Sequence, residues 1–173
     1  IDIDSSQGVV INNDSQVTVD AAGQILIDAA ERVSIVSNAA TTTLLSVNGD
    51  ITLTANTAGT TSGTFVGIEV DDATITTTTG AVSLTGTGGD TGDNNHGIVL
   101  ENGAIVESNG AAGTLSIDGT AGTGTGFQAP FTLPHLKSLS TSCTNTTLRT
   151  RTRKYTSIIK SHAISLSPGI NIT

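Results

Sequence analysis

Residues 89–110, GDTGDNNHGIVLENGAIVESNG, gather the side chains in this sequence best suited to chemistry. They hold Asp90, Asp93, Glu101 and Glu107, the imidazole of His96, and five glycines. Asp90, Asp93, Asn94 and Asn95 form the oxygen-rich type of cluster that a hard cation such as calcium prefers. Asp90 and Asp93 are the calcium candidates. The spacing matches no established calcium loop. An EF-hand pattern is absent, and Gly88-Gly89-Asp90-Thr91-Gly92-Asp93 misses the second spacing of the G-G-x-G-x-D nonapeptide. The sequence therefore favours a polar corner loop over a cofactor site.

Catalysis finds less support. Asp71 and Asp72 are neighbours and point to opposite faces of an extended chain. Arg32 is the only Lys or Arg before residue 127. His96, beside Gly97 at the start of an apolar run, reads as a solvated loop histidine rather than a general base. No G-x-S-x-G nucleophile turn occurs. An enzyme is not expected.

The elements that carry these residues repeat. GIEVDDATITTTTG (67–80) aligns without a gap on GIVLENGAIVESNG (97–110), pairing Ile68 with Ile98, Val70 with Leu100, Ile75 with Ile105 and Gly80 with Gly110. GDITLTANTAG (49–59), GAVSLTGTGGD (80–90) and GTLSIDGTAGT (113–123) align in turn, matching Ile51, Val82 and Leu115, and Leu53, Leu84 and Ile117. Strands with period-two alternation are predicted at 51–54, 66–70 and 74–77, and again at 82–85, 97–100 and 104–107. Apolar pairs at Val17/Val19, Ile25/Ile27 and Val33/Ile35 extend the pattern toward the N-terminus with a shorter period. The loop matching 88–96 in the preceding unit, TAGTTSGTF (57–65), contains no acid.

Three strands per unit and a drifting period predict an all-β, parallel β-solenoid of about four coils over residues 1–126, with units near 49–79, 80–112 and 113–126. Successive coils would stack at about 4.8 Å, apolar members of each pair pointing into a narrow core. Composition agrees: only three Phe, one Tyr and no Trp are present, so Val, Ile, Leu and Ala must fill that core. Corner glycines are expected to supply positive φ. The Thr-rich strand ATITTTT (73–79) suggests a hydroxyl ladder, but its aligned partner GAIVE (103–107) does not continue one.

The pattern G-x-[IV]-x-L-T-x-[TG]-x-G-G followed by G-[IV]-x-[LV]-x-x-[AG]-x-I resembles the repeat regions of large bacterial filamentous-haemagglutinin-like and autotransporter-type adhesins. The resemblance covers about residues 9–126. It implies a right-handed parallel β-helix and a structural and adhesive segment of a cell-surface or secreted protein, outside the cell, with neighbouring coils of a longer chain and host or cell-surface glycans or proteins as partners. A carbohydrate-binding or polysaccharide-cleaving β-helix, and a calcium-stabilised surface repeat, are the alternatives. The chain begins at Ile1 and contains no Met, as an internal or processed piece would.

Residues 127–173 differ. Residues 1–126 carry all fifteen acids and one Arg, a charge of −14, whereas 127–173 carry +6 and all three prolines. This basic stretch reads as a cap, a disordered tail or an out-of-frame product. Arg149, Arg151 and Arg153 would share one face if extended, yet the aromatics for base stacking are missing, so no nucleic acid is expected. Cys143 is the only cysteine and forms no intrachain disulfide. No run of about 18 apolar residues suggests a membrane span.

Overall fold

A computed structural model describes residues 1–126, 128–133, 138–141, 146–151 and 170–172. Every regular element among them is a β-strand, and every strand pairing is parallel. No helix among them is long and apolar enough to cross a membrane. The chain is a β-solenoid. The first coil comprises β1 (Asp2–Ser5), β2 (Val9–Asn12) and β3 (Gln16–Val19). The second comprises β4 (Ile25–Ala29), β5 (Val33–Val36) and β6 (Thr43–Ser46). The third comprises β7 (Ile51–Ala55), β8 (Ile68–Asp71) and β9 (Thr74–Thr77). The fourth comprises β10 (Val82–Thr87), β11 (Ile98–Glu101) and β12 (Ile105–Ser108). β13 (Leu115–Thr120), β14 (Phe131–Thr132), β15 (Ser138–Thr141), β16 (Thr146–Arg151) and β17 (Ile170–Ile172) follow.

Three sheets run the length of the stack. The first is β1-β4-β7-β10-β13-β16-β17, the second β2-β5-β8-β11-β14, and the third β3-β6-β9-β12-β15. The described parts of 127–173 thus lie on the same three sheets as the repeats. Arg149 takes the register position beside Asp118. The expectation of a cap, tail or out-of-frame product falls largely on residues 134–137, 142–145, 152–169 and 173, which lie outside the described residues, as do Cys143 and Arg153.

Period-two alternation decides which side chains enter the core. Ile25, Ile51, Val82 and Leu115 stack in register, as do Ile27, Leu53, Leu84 and Ile117. All eight are at most 1% exposed. On the second sheet Val33, Ile68, Ile98 and Phe131 form the equivalent column. Burying each such side chain stabilises the fold by roughly 1.5–3 kcal/mol before its entropy cost. Like shapes stacked on like fill the narrow core, with Phe131 closing the second-sheet column.

The register corrects one alignment. Ile75 pairs with Val106, and Ile105 with Thr74. Val106 is fully buried, whereas Ile105 faces outward and is partly exposed. One extra residue lies between β11 and β12 (Asn102-Gly103-Ala104, against Asp72-Ala73 one coil earlier), and a one-residue slip exchanges the two faces of a strand. Gly80 likewise lies beside Gly113 rather than Gly110.

The corner glycines are of two kinds: Gly59, Gly63, Gly92 and Gly103 have the expected positive φ. Gly49 and Gly80 do not have positive φ. Their backbones approach too closely for a side chain. A Cβ on Gly49 would lie 2.0 Å from the Gly23 carbonyl oxygen, and one on Gly80 would lie 2.1 Å from that of Gly49. Positive φ also falls on the corner residues Asn56, Asp72, Asn94 and Asn102.

Candidate functional site

The corner between the first and second sheets is where the coils differ most. It spans only residues 6–8 and 30–32 in the first two coils, but 56–67, 88–97 and 121–130 in the next three. These three wide loops stack on one another, and each is held by side chains reaching into its neighbours. Asn95 is fully buried. Its Oδ1 accepts the Phe65 N–H at 3.0 Å, and its Nδ2 donates to the carbonyls of Thr91 (2.8 Å) and Thr123 (3.2 Å). One amide thereby joins three coils. Asn56 acts similarly one coil earlier: its Oδ1 accepts the Thr61 N–H at 3.2 Å and its Nδ2 donates to the Gly88 carbonyl at 3.3 Å.

The two calcium candidates face opposite neighbours. Asp90 Oδ1 accepts the Gly63 N–H and the Ser62 hydroxyl, each at 2.9 Å, from the loop of the preceding coil. The Gly63 N–H above all, then the Ser62 hydroxyl, holds the Asp90 carboxyl below the usual range. Asp93 Oδ1 accepts the Thr125 hydroxyl at 3.4 Å, from the loop of the following coil. Among the described residues, no group of three or more His, Cys, Asp or Glu side chains is placed to hold a metal ion. Asn95, counted with the oxygen cluster in the sequence, is spent on the loop-to-loop bonds.

His96 is not the solvated loop histidine expected from its neighbours. It is 9% exposed, and its Nδ1 accepts the Ala129 N–H at 3.0 Å. Burial lowers its pKa. Gly97 N–H donates to the Ala129 carbonyl and Ile98 N–H to that of Pro130, so His96 belongs to the seam that seats the next coil.

A second ordered polar array lies at the corner between the third and first sheets. Ser46, Thr77 and Ser108 occupy one register column and are all fully buried. Their hydroxyls donate to the carbonyls of Gly23 (2.9 Å), Gly49 (3.0 Å) and Gly80 (2.8 Å), each in the preceding coil. Ser46 and Thr77 also accept the N–H groups of Gly49 and Gly80, each at 3.0 Å. The sequence signal was available: a hydroxyl three residues before Gly49 and Gly80, in S-V-N-G and T-T-T-G, and five before Gly113, in S-N-G-A-A-G.

Outside, the first sheet presents hydroxyls in columns. Thr52, Ser83 and Ser116 are registered partners, as are Thr54 and Thr85, and Thr87 and Thr120. All lie on the face opposite the buried Ile, Val and Leu. The ladder considered for residues 73–79 does not continue, since Thr74 and Thr76 meet Ile105 and Glu107. Among outward-facing hydroxyls, those of the first sheet repeat over the third to fifth coils.

At the end of this face run two clefts. One, of about 360 Å³, crosses the third, fourth and fifth coils beside Thr87, Asp90 and Thr120. The other, of about 280 Å³, crosses the first three beside Asp4, Asp28 and Thr61. They meet at Thr57 and Ala58. Among the described residues, no Lys, Arg or His lines either cleft. Such a wall donates and accepts hydrogen bonds and carries negative charge. No family model, curated protein or solved structure matches the chain.

Proposed function

We propose that the chain is a structural segment of a large bacterial surface or secreted repeat protein, acting outside the cell to extend and display an adhesive surface without catalysing a reaction. The observation that supports this reading best is the unbroken parallel register of three sheets from coil to coil. A solenoid of this kind lengthens by about 4.8 Å with each coil, and each coil contacts only its neighbours. Length is therefore set by repeat number, and the wide corner loops offer contact surface without interrupting the core. The strongly acidic repeats keep such rods apart. The resemblance of residues 9–126 to adhesin repeats points the same way.

The test is gain of attachment. A non-adherent bacterium displaying the full chain on a neutral carrier should be retained under flow on host-cell or glycan-coated surfaces. Retention equal to that of the carrier alone would reject the adhesive role.

A further inference from the structure

The two clefts and the hydroxyl columns lie side by side along the solenoid axis, and their chemistry is selective. Outward hydroxyls recur in the third, fourth and fifth coils, so a ligand that matches them must present polar groups at a repeat near the coil spacing of about 4.8 Å. A linear glycan laid along the axis does so, with roughly one sugar for each coil. Thr87 and Thr120 stand on registered positions at the wall of the larger cleft, and Asp90 is on its rim. The smaller cleft adds Asp4 and Asp28, which are registered partners too. Every charge lining the two clefts is negative.

We propose that this axial groove binds a linear glycan free of carboxylate and sulfate groups, with Thr87 and Thr120 as principal hydrogen-bonding residues. The acids repel uronic or sulfated chains and accept hydrogen bonds from uncharged sugar hydroxyls. The groove lacks aromatic platforms, so affinity comes from many weak polar contacts spread over several coils. Affinity then grows with oligosaccharide length until the chain spans the five coils that the two clefts cross together. The inference deepens the adhesive reading and rests on it only for its biological setting, since the groove is a property of the folded chain.

The experiment is a backbone-amide NMR titration of the full chain with cellohexaose, xylohexaose and chitohexaose. A galacturonate hexamer and a sulfated heparin-derived hexasaccharide serve as acidic comparators. Saturable shifts are expected at the amides of Thr57, Thr87, Thr120 and Thr123 with at least one uncharged hexamer. The trimer should bind more weakly than the hexamer, and the acidic chains should leave those amides unmoved. Thr87→Val and Thr120→Val keep shape and remove one hydroxyl each, and each should weaken binding by about fivefold. Amide spectra that overlay elsewhere establish that the variants are folded. Absence of shifts with every uncharged hexamer at millimolar concentration overturns the proposal. So does tighter binding of the acidic chains at these amides, or binding unchanged by both substitutions. Because cell retention can rest on a protein receptor, a silent titration with positive retention rejects the glycan groove alone. Binding without retention rejects the adhesive role alone.

Discussion

His96 and Asp90 show how single residues of the wide corner couple the coils to pH. Folding lowers the pKa of both, His96 chiefly by burial and Asp90 chiefly by the Gly63 N–H. For His96, the unfolded chain takes up its proton near the ordinary value of 6.5 while the folded chain does not. The unfolded state then binds more protons, and stability falls as pH drops below that value toward the folded pKa. For Asp90 the stabilisation is present above the ordinary value of 3.8 and is lost as pH falls through the lower folded pKa. Urea midpoints measured from pH 7.5 to 5 should therefore decline on acidification, and His96→Asn should flatten that decline. A wild-type midpoint constant over this range would contradict the burial of His96.

The buried hydroxyl column is the other residue-scale device. Thr77→Val removes the partner of the Gly49 carbonyl and of the Gly80 N–H at nearly constant volume. Each buried backbone group left unpaired costs about 1–3 kcal/mol. Urea unfolding should register a loss of that order, larger than for Thr76→Val on the outward face of the same strand. Equal effects would refute the column's role. Such polar residues were the least legible in the sequence. Asn95 looked like a cation ligand and His96 like a solvated side chain, because a loop's polar atoms do not reveal whether they face water or the next coil.

Strands were the most legible element. The limits of β9 follow from alternation alone, and those of β7, β8, β10, β11 and β12 differ from expectation by a few residues at one end or both. Period-two patterning survives because each strand has one face in a narrow apolar core and one in water. Register at β12 was not legible, since Ile105 and Val106 are both apolar and adjacent, and only the extra corner residue tells which is buried. That distinction is measurable. Val106→Asp should unfold the chain or reduce its stability severely, through an unpaired buried charge. Ile105→Asp should be nearly neutral, within about 0.5 kcal/mol for an outward position. The reverse order would restore the gapless alignment. At the glycine corner, Gly80→Ala should cost about 1–3 kcal/mol by overpacking against the Gly49 carbonyl, a clash that no choice of φ relieves.

At the scale of the whole molecule, stacking has no built-in limit. The coil period changes from 24 residues (Asp2 to Leu26) to 31 (Ile51 to Val82) and 33 (Val82 to Leu115), yet the first sheet keeps its register throughout. Variation is absorbed in the corner loops, which is why repeats of unequal length were recognisable as one architecture. It is also why the sequence does not give the number of coils beyond residue 126, where composition changes while the strands still pair. The central claim is that each coil adds a fixed axial step to a continuous rod. Its most direct test is the distance between spin labels at Asp2→Cys and Ser116→Cys in a Cys143→Ser background. These positions belong to the same outward column, four strand spacings apart on the first sheet. That corresponds to about 19 Å between backbones. Duplicating residues 82–114 inserts one register repeat before Leu115. The distance should then lengthen by about 5 Å as a single narrow population. An unchanged or broadly scattered distance would contradict the rod.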